Sequence, residues 1–104
     1  MPFFPTELPG LLIYEPVIHR DERGYFYESY NEQSFIQYGL HHQFVQDNQA
    51  RSTFGVLRGL HYQLEPYAQT KLIRVLEGSI LDVAVDDRMG SPTFGQTYSL
   101  ILSV

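Results

Sequence analysis

The chain has no cysteine, which excludes disulfides, thiolate nucleophiles and cysteine-based metal sites. It has no apolar run near the ~20 residues that a membrane-crossing helix needs, so no membrane span is expected. Basic residues are few. Seven Lys and Arg against 12 Asp and Glu give a formal net charge of −5. A general nucleic-acid surface needs a basic footprint, so nucleic acid is not expected as a partner. A small phosphorylated ligand stays open, because two or three well-placed Arg or Lys can hold a diphosphate in an acidic protein. Repeats, low-complexity segments and linkers are absent. Met1 to Gly10 has no basic region followed by an apolar run, so no signal peptide is expected and the cytoplasm is the default location.

What is present is aromatic and strand-forming. The 104 residues amount to about one small domain, and 43% of them are hydrophobic. The 8 Tyr and 7 Phe suit β-strands and the walls of a ligand cavity. A domain of this size buries a limited core, so contacts with partners matter for its stability. Leu11 to Ile18 reads as a strand, placed at an edge or bent by Pro16. Asp21-Glu22-Arg23-Gly24 reads as a turn and Tyr25 to Tyr30 as the next strand. Asn31 to Leu40 is the one expected helix, with Asn31 as N-cap, Glu32 in the first turn and Gly39 as terminator.

Further strands are expected over His42 to Asn48, Val56 to Gln63, Lys71 to Glu77, Ser79 to Asp86 and Thr93 to Val104. Glu77-Gly78-Ser79 reads as a tight hairpin between two of them. Leu81, Val83 and Val85 alternate with Ile80, Asp82, Ala84 and Asp86, a period of two with one face more polar. Asp87 to Pro92 is a second turn. The expected fold is therefore all-β, an antiparallel β-sandwich or jelly roll with one or two short helices. Ser99 to Val104 is an apolar strand with no turn or polar tail after it, so residues 1–104 are expected to be one domain that is incomplete at its C-terminus.

His61, in Val56-Leu57-Arg58-Gly59-Leu60-His61-Tyr62-Gln63, is the first candidate for chemistry. A lone strand histidine is usually structural. Here Arg58 lies close before it, Lys71 follows, and Gln46-Asp47-Asn48 forms a polar cluster upstream. Polar side chains in the strands of a small β-domain are costly unless they line a cavity, and a cavity with His, Lys and Arg suits an anionic or electron-rich ligand. Strict alternation sets Arg58 and His61 on opposite faces. Either Arg58 points outward, or a bulge at Gly59 brings both inside. No metal is expected: the position two after His61 is Gln63, and the adjacent His41 and His42 point to opposite faces of a strand.

Six ordered blocks resemble the dTDP-4-dehydrorhamnose 3,5-epimerase family, sugar-nucleotide enzymes of the cupin superfamily. They are Asp21 to Phe26, Phe44 to Asn48, Val56 to Gln63, Ala68 to Leu72, Asp82 to Asp86 and Gly90 to Gly95. Their order and spacing hold across nearly the whole chain, as in the N-terminal part of that family. The resemblance implies a cupin-type jelly roll and a set of roles. His61 matches the general base, and Lys71 matches the lysine that steadies the enolate. Arg58, Gln46 and Asn48 match substrate-binding positions. Arg23 and Glu28 match contacts to the nucleotide, which the family supplies from strands exchanged within a homodimer. The implied substrate is a dTDP-4-keto-6-deoxy sugar, and no metal or organic cofactor is implied. The family's tyrosine acid and the aspartate that orients the base fall beyond Val104, and neither Tyr62 nor Tyr98 matches the acid.

Plainer roles weigh beside these. Arg23 and Glu28 could form an exposed ion pair of little value. Lys71 could be a solvated strand end, and Asp82 a hydrogen-bonded structural residue. At the level of function the alternatives are a single-carbon keto-sugar-nucleotide epimerase and a non-catalytic sugar-nucleotide-binding cupin fragment.

Overall fold

The computed structural model describes residues 3–104. Its elements, in chain order, are β1 (Phe3–Pro5), β2 (Leu12–Tyr14), β3 (His19–Asp21), β4 (Gly24–Phe26), α1 (Glu32–Gln37), β5 (Ser79–Val85) and β6 (Thr97–Ser103). The class is as expected, all-β with one short helix. The strands form three separate antiparallel ribbons, β1 with β2, β3 with β4, and β5 with β6.

The helix follows from its caps. Asn31 sits in extended conformation and its Oδ1 accepts the Ser34 amide at 3.0 Å, satisfying one of the free N–H groups of the first turn. At the other end the Leu40 amide donates to the Phe35 carbonyl at 2.8 Å and the Gly39 amide to the Ile36 carbonyl at 2.9 Å. That paired closure needs a left-handed residue between helix and exit, and Gly39 supplies it at φ 94° without a Cβ to strain. Six residues are too few to stand alone as a helix in water, so packing must hold it.

Phe35 does that. It is 3% exposed and lies 4.9 Å from the Phe3 ring, 5.1 Å from Tyr14 and 4.7 Å from Tyr30, centroid to centroid. Phe3 also stacks on Tyr38 at 4.7 Å. Phe3 belongs to β1, a strand the sequence reading missed because Pro5 masks it. The proline is tolerated at this edge position, where no ladder donor is needed. The β1–β2 connection is held by the Thr6 hydroxyl, which donates to the Leu11 carbonyl at 2.8 Å and accepts the Leu8 amide at 3.2 Å. Leu8 is buried beneath it.

The expected strand over Leu11 to Ile18 is shorter, ending at Tyr14 just before Pro16. The turn at Asp21 to Gly24 forms as expected and closes the β3–β4 hairpin, which ends at Phe26 instead of running to Tyr30. The strands expected over His42 to Asn48, Val56 to Gln63 and Lys71 to Glu77 are not formed, and no hairpin forms at Glu77-Gly78-Ser79. The reason is pairing. A strand exists only where its backbone N–H and C=O groups meet a neighbour's. Among the described residues, the backbone hydrogen bonds between positions 41 and 77 are two local turns, Val56 to Thr53 and Tyr67 to Leu64. The segment carries strand-forming residues with no ladder partner, and Val45, Leu57, Leu60 and Leu64 stay exposed.

β5 instead pairs with β6, Ser79 opposite Ser103 through Val85 opposite Thr97. The connection between them is organised by Asp86, whose side chain is 1% exposed. Its carboxylate accepts Arg88 Nε at 2.9 Å, Arg88 Nη2 at 3.0 Å, Ser91 Oγ at 2.7 Å and the Thr93 hydroxyl. The Asp86 backbone meets Gln96 and Gly95 at 2.9 and 2.7 Å. The structural carboxylate of this ribbon is thus Asp86. Asp82 makes no side-chain hydrogen bond among the described residues, contrary to the role expected for it. The radius of gyration, 15.4 Å, exceeds the ~13 Å of a compact domain of this length, in keeping with the unpaired middle segment.

Two predictions follow from this packing. Phe35→Ala is expected to cost about 3–5 kcal/mol, the usual range for emptying a buried phenylalanine site. With so small an apolar core, that is enough to unfold the β1–β2–α1 unit. Asn31→Ala should cost only about 1 kcal/mol. Urea titrations followed by circular dichroism would show both, and equal losses for the two variants would contradict the packing described.

The second concerns acid. The Arg88 guanidinium, then the Thr93 and Ser91 hydroxyls, hold the Asp86 carboxyl far below the usual carboxylate range. A depressed folded-state pKa stabilises the fold above the unfolded value of ~3.9, and that stability is lost as pH falls below it toward the folded value. Asp86→Asn should therefore lower stability at pH 7 and flatten its dependence on pH below about 4. Unfolding midpoints measured from pH 7 to pH 2 test this; parallel curves for parent and variant would refute it.

Candidate functional site

Arg23 occupies the tip of the β3–β4 hairpin, where the two-residue loop Glu22-Arg23 leaves it free to reach out. Its side chain is 88% exposed and pairs with Asp21, Nη2 to Oδ2 at 2.6 Å. The bond lowers the Asp21 pKa and raises that of Arg23. The ion pair weighed between Arg23 and Glu28 is therefore made with Asp21 instead. An exposed pair of this kind adds little stability, so Arg23 can exchange its partner for a ligand anion at small cost. The hairpin also carries an aromatic surface. Arg20 lies 5.7 Å from the Tyr25 ring, Tyr25 stacks on Tyr27 at 5.9 Å, and Phe26 is exposed.

Glu28 follows the hairpin. Its backbone carbonyl accepts the Tyr14 hydroxyl at 3.1 Å, and its side chain borders a groove of about 390 Å³ with Phe3, Tyr14, His19, Phe26 and Gln37. Burial, and then the Glu28 carboxylate, raise the Tyr14 pKa. A second shallow cleft of about 370 Å³ runs along the hairpin past His19, Asp21, Arg23 and Tyr25. Arg23 and Glu28 thus border adjoining clefts.

The remaining candidates lie on the unpaired middle segment. Gln46 and Asn48 meet each other, Nε2 to Oδ1 at 3.3 Å. Arg58 donates from Nε to Ser52 Oγ at 2.9 Å. His61 and Lys71 are exposed and make no side-chain hydrogen bond or ion pair among the described residues. Gly59, at φ 123°, turns the chain between Arg58 and His61, but with no strand there the question of faces and bulge does not arise. The chain by itself brings Gln46 to Asn48, sets Arg23 and Glu28 at adjoining clefts, and leaves His61 and Lys71 open to solvent. Sequence reasoning missed Tyr14, whose signal is its aromatic ring in a strand next to the Pro16 break. Among the described residues no three His, Asp or Glu are grouped to hold a metal ion.

The strand-rich unit with one short helix is cupin-like. The family model for dTDP-4-dehydrorhamnose 3,5-epimerase matches residues 5–104, and the chain belongs to that family. It is 57% identical over 99 residues to the dTDP-4-dehydrorhamnose 3,5-epimerase of Shigella flexneri, covering 94% of this chain and 55% of that protein. The crystal structure of dTDP-4-dehydrorhamnose 3,5-epimerase from Elizabethkingia anophelis superposes with a TM-score of 0.91 at 52% identity, covering 97% of this chain and 56% of that one. The Legionella pneumophila dTDP-6-deoxy-D-glucose-3,5-epimerase, solved in complex with dTDP-4-keto-L-rhamnose, also gives a TM-score of 0.91 at 52% identity, over 97% and 54% of the two chains. The chain spans about half the length of these relatives.

Proposed function

We propose that the chain supplies one wall of the active site of a dTDP-4-dehydrorhamnose 3,5-epimerase, which converts dTDP-4-dehydro-6-deoxy-D-glucose to dTDP-4-dehydro-L-rhamnose. The observation that carries this reading is the family match over residues 5–104, within which all of Arg23, Glu28, Gln46, Asn48, Arg58, His61 and Lys71 fall. The Legionella enzyme's complex with the product sugar nucleotide supports the substrate class. On this reading residues 1–104 form one cupin-like domain, which matches about half the length of its relatives. A charged nucleotide diphosphate does not cross a bilayer unaided, so a cytoplasmic site of action goes with this substrate.

The chemistry explains the residue types. The protons on ring carbons 3 and 5 flank the ketone and are acidic enough for a side-chain base. His61 suits that task because imidazole is the side chain apt to exchange protons near neutral pH. Removing the proton drives negative charge onto the ketone oxygen. The Lys71 ammonium stabilises that oxyanion more than the neutral ketone, which lowers the barrier. Arg23, Arg58, Gln46 and Asn48 hold the diphosphate and sugar by charge and hydrogen bonds, with Glu28 on the nucleoside. Inversion requires reprotonation from the opposite ring face by a separate acid, for which the reading looks to a tyrosine outside this sequence.

The exposed β3–β4 hairpin supports a homodimer in which the segment from Leu11 to Tyr30 pairs with the second copy. Its open edges and its exposed Tyr25 and Phe26 invite that pairing.

His61→Asn in the full-length protein is expected to keep sugar-nucleotide binding and to lose proton exchange by ~10²–10⁴-fold. Solvent deuterium incorporation at carbons 3 and 5 reads this directly, and undiminished incorporation would remove His61 from the role of base. For the assembly, light scattering at low micromolar concentration should give the mass of a dimer. A well-folded monomer would defeat the exchanged-strand arrangement.

A further inference from the structure

The Tyr14 hydroxyl joins the aromatic cluster to the segment that follows the hairpin carrying Arg23. Tyr14 lies in β2, with its ring 4.8 Å from Phe3 and 5.1 Å from Phe35. Its hydroxyl crosses out of that cluster to the Glu28 carbonyl, 3.1 Å away. Glu28 lies beyond the end of β4, in a stretch with no ladder hydrogen bonds of its own. The chain between them is interrupted by Pro16 and then by an exposed hairpin, and Glu28 itself lies in no helix or strand; two residues on, Tyr30 packs against Phe35. Tyr14 and Glu28 border the same groove.

We propose that Tyr14 is a positioning residue for nucleotide recognition: its hydroxyl, anchored by the ring in the Phe3–Phe35 cluster, pins the Glu28 backbone and so aims the Glu28 carboxylate at the bound nucleoside. The proposal rests on the reading that Glu28 contacts the nucleotide. Tyr14 itself need touch no ligand. A phenylalanine at position 14 would fill the core equally well, so the hydroxyl is the part of the side chain that packing leaves unexplained. Its partner is a main-chain carbonyl, whose acceptor does not depend on what side chain stands at position 28. The tether therefore sets where the residue sits, and the carboxylate supplies the recognition.

The test is a double-mutant cycle in the full-length protein, with dTDP as the titrated ligand and calorimetry as the readout. Glu28→Ala should weaken dTDP binding. Tyr14→Phe keeps the ring and should weaken binding by about five-fold, the typical worth of one hydrogen bond. The pair together should lose no more than Glu28→Ala alone, because without the carboxylate there is nothing left to aim. The unfolding midpoint of Tyr14→Phe should stay close to the parent's. If Glu28→Ala leaves binding unchanged, the reading of Glu28 as a nucleotide contact fails and the proposal falls with it. If Glu28→Ala weakens binding but Tyr14→Phe does not, or the two losses multiply, the Glu28 reading stands and the positioning role of Tyr14 is overturned.

Discussion

The contact of Phe35 with Phe3 is the interaction on which the ordered N-terminal part depends. A six-residue helix is not stable in water, and a two-stranded ribbon of three residues a side is scarcely better. Each becomes stable only against the other. Phe35 comes from the helix, Phe3 and Tyr14 from the two strands, Tyr38 from the helix exit, and Tyr30 from the approach to the helix. Tyr30 also reaches Phe44 at 5.5 Å, so the cluster fixes the direction in which the chain leaves toward Gln46 and Asn48. Through the Tyr14 hydroxyl it fixes the start of the Glu28 segment as well. A handful of aromatic rings thus anchors two stretches expected to contact substrate.

The β5–β6 ribbon is held differently. Its ladder is long and regular, and its connection is locked by one carboxylate that takes four side-chain hydrogen bonds, the strongest of them charge-assisted. Apolar residues line both of its faces, Ile80, Leu100 and Leu102 on one and Leu81, Val83, Val85 and Ile101 on the other. A strand apolar on both sides is the pattern of one covered on both sides. Leu81 and Ile101 are nonetheless 66% and 69% exposed. Exposed apolar surface of this extent marks a contact face. It accords with a chain that matches about half the length of its relatives.

What the sequence made legible is local. Asn31 and Gly39 announce the helix because capping depends on those residues alone, and the structure places both where their chemistry requires. Asp21 to Gly24 turns because the signal for a turn is also local. The alternation over Ser79 to Asp86 was readable because its partner β6 lies within the chain. Val56 to Gln63 and Lys71 to Glu77 carry equally good strand residues and form no strand, since pairing is a property of two segments and composition describes only one. β1 escaped notice because Pro5 argues against a strand everywhere except at an edge. Of the candidate site, Arg23 is placed by the hairpin and Glu28 by the Tyr14 hydroxyl that its carbonyl accepts. His61 and Lys71 could be named from the family blocks but not located, because the segment that bears them lacks a partner.

That separation between scaffold and chemistry has an electrostatic consequence. In bulk water two unit charges 4 Å apart interact by about 1 kcal/mol, and at the effective dielectric of a protein surface by about 4 kcal/mol. An exposed Lys71 would therefore distinguish an enolate from a ketone only weakly. An exposed His61, free to turn about its side-chain bonds, would hold no fixed direction toward a ring proton. On the proposed reading, both groups would become effective only where water is excluded and a hydrogen-bonded partner fixes the imidazole's orientation and tautomer. On the proposed reading, the recognition elements can be built early in the chain because phosphate contacts tolerate solvent. A guanidinium at an open surface can still bind an anion. Proton transfer has no such tolerance. On this reading, Arg23 on the hairpin can bind an anion in the open, whereas His61 and Lys71 on the unpaired segment need a covered site, so binding is separable from turnover.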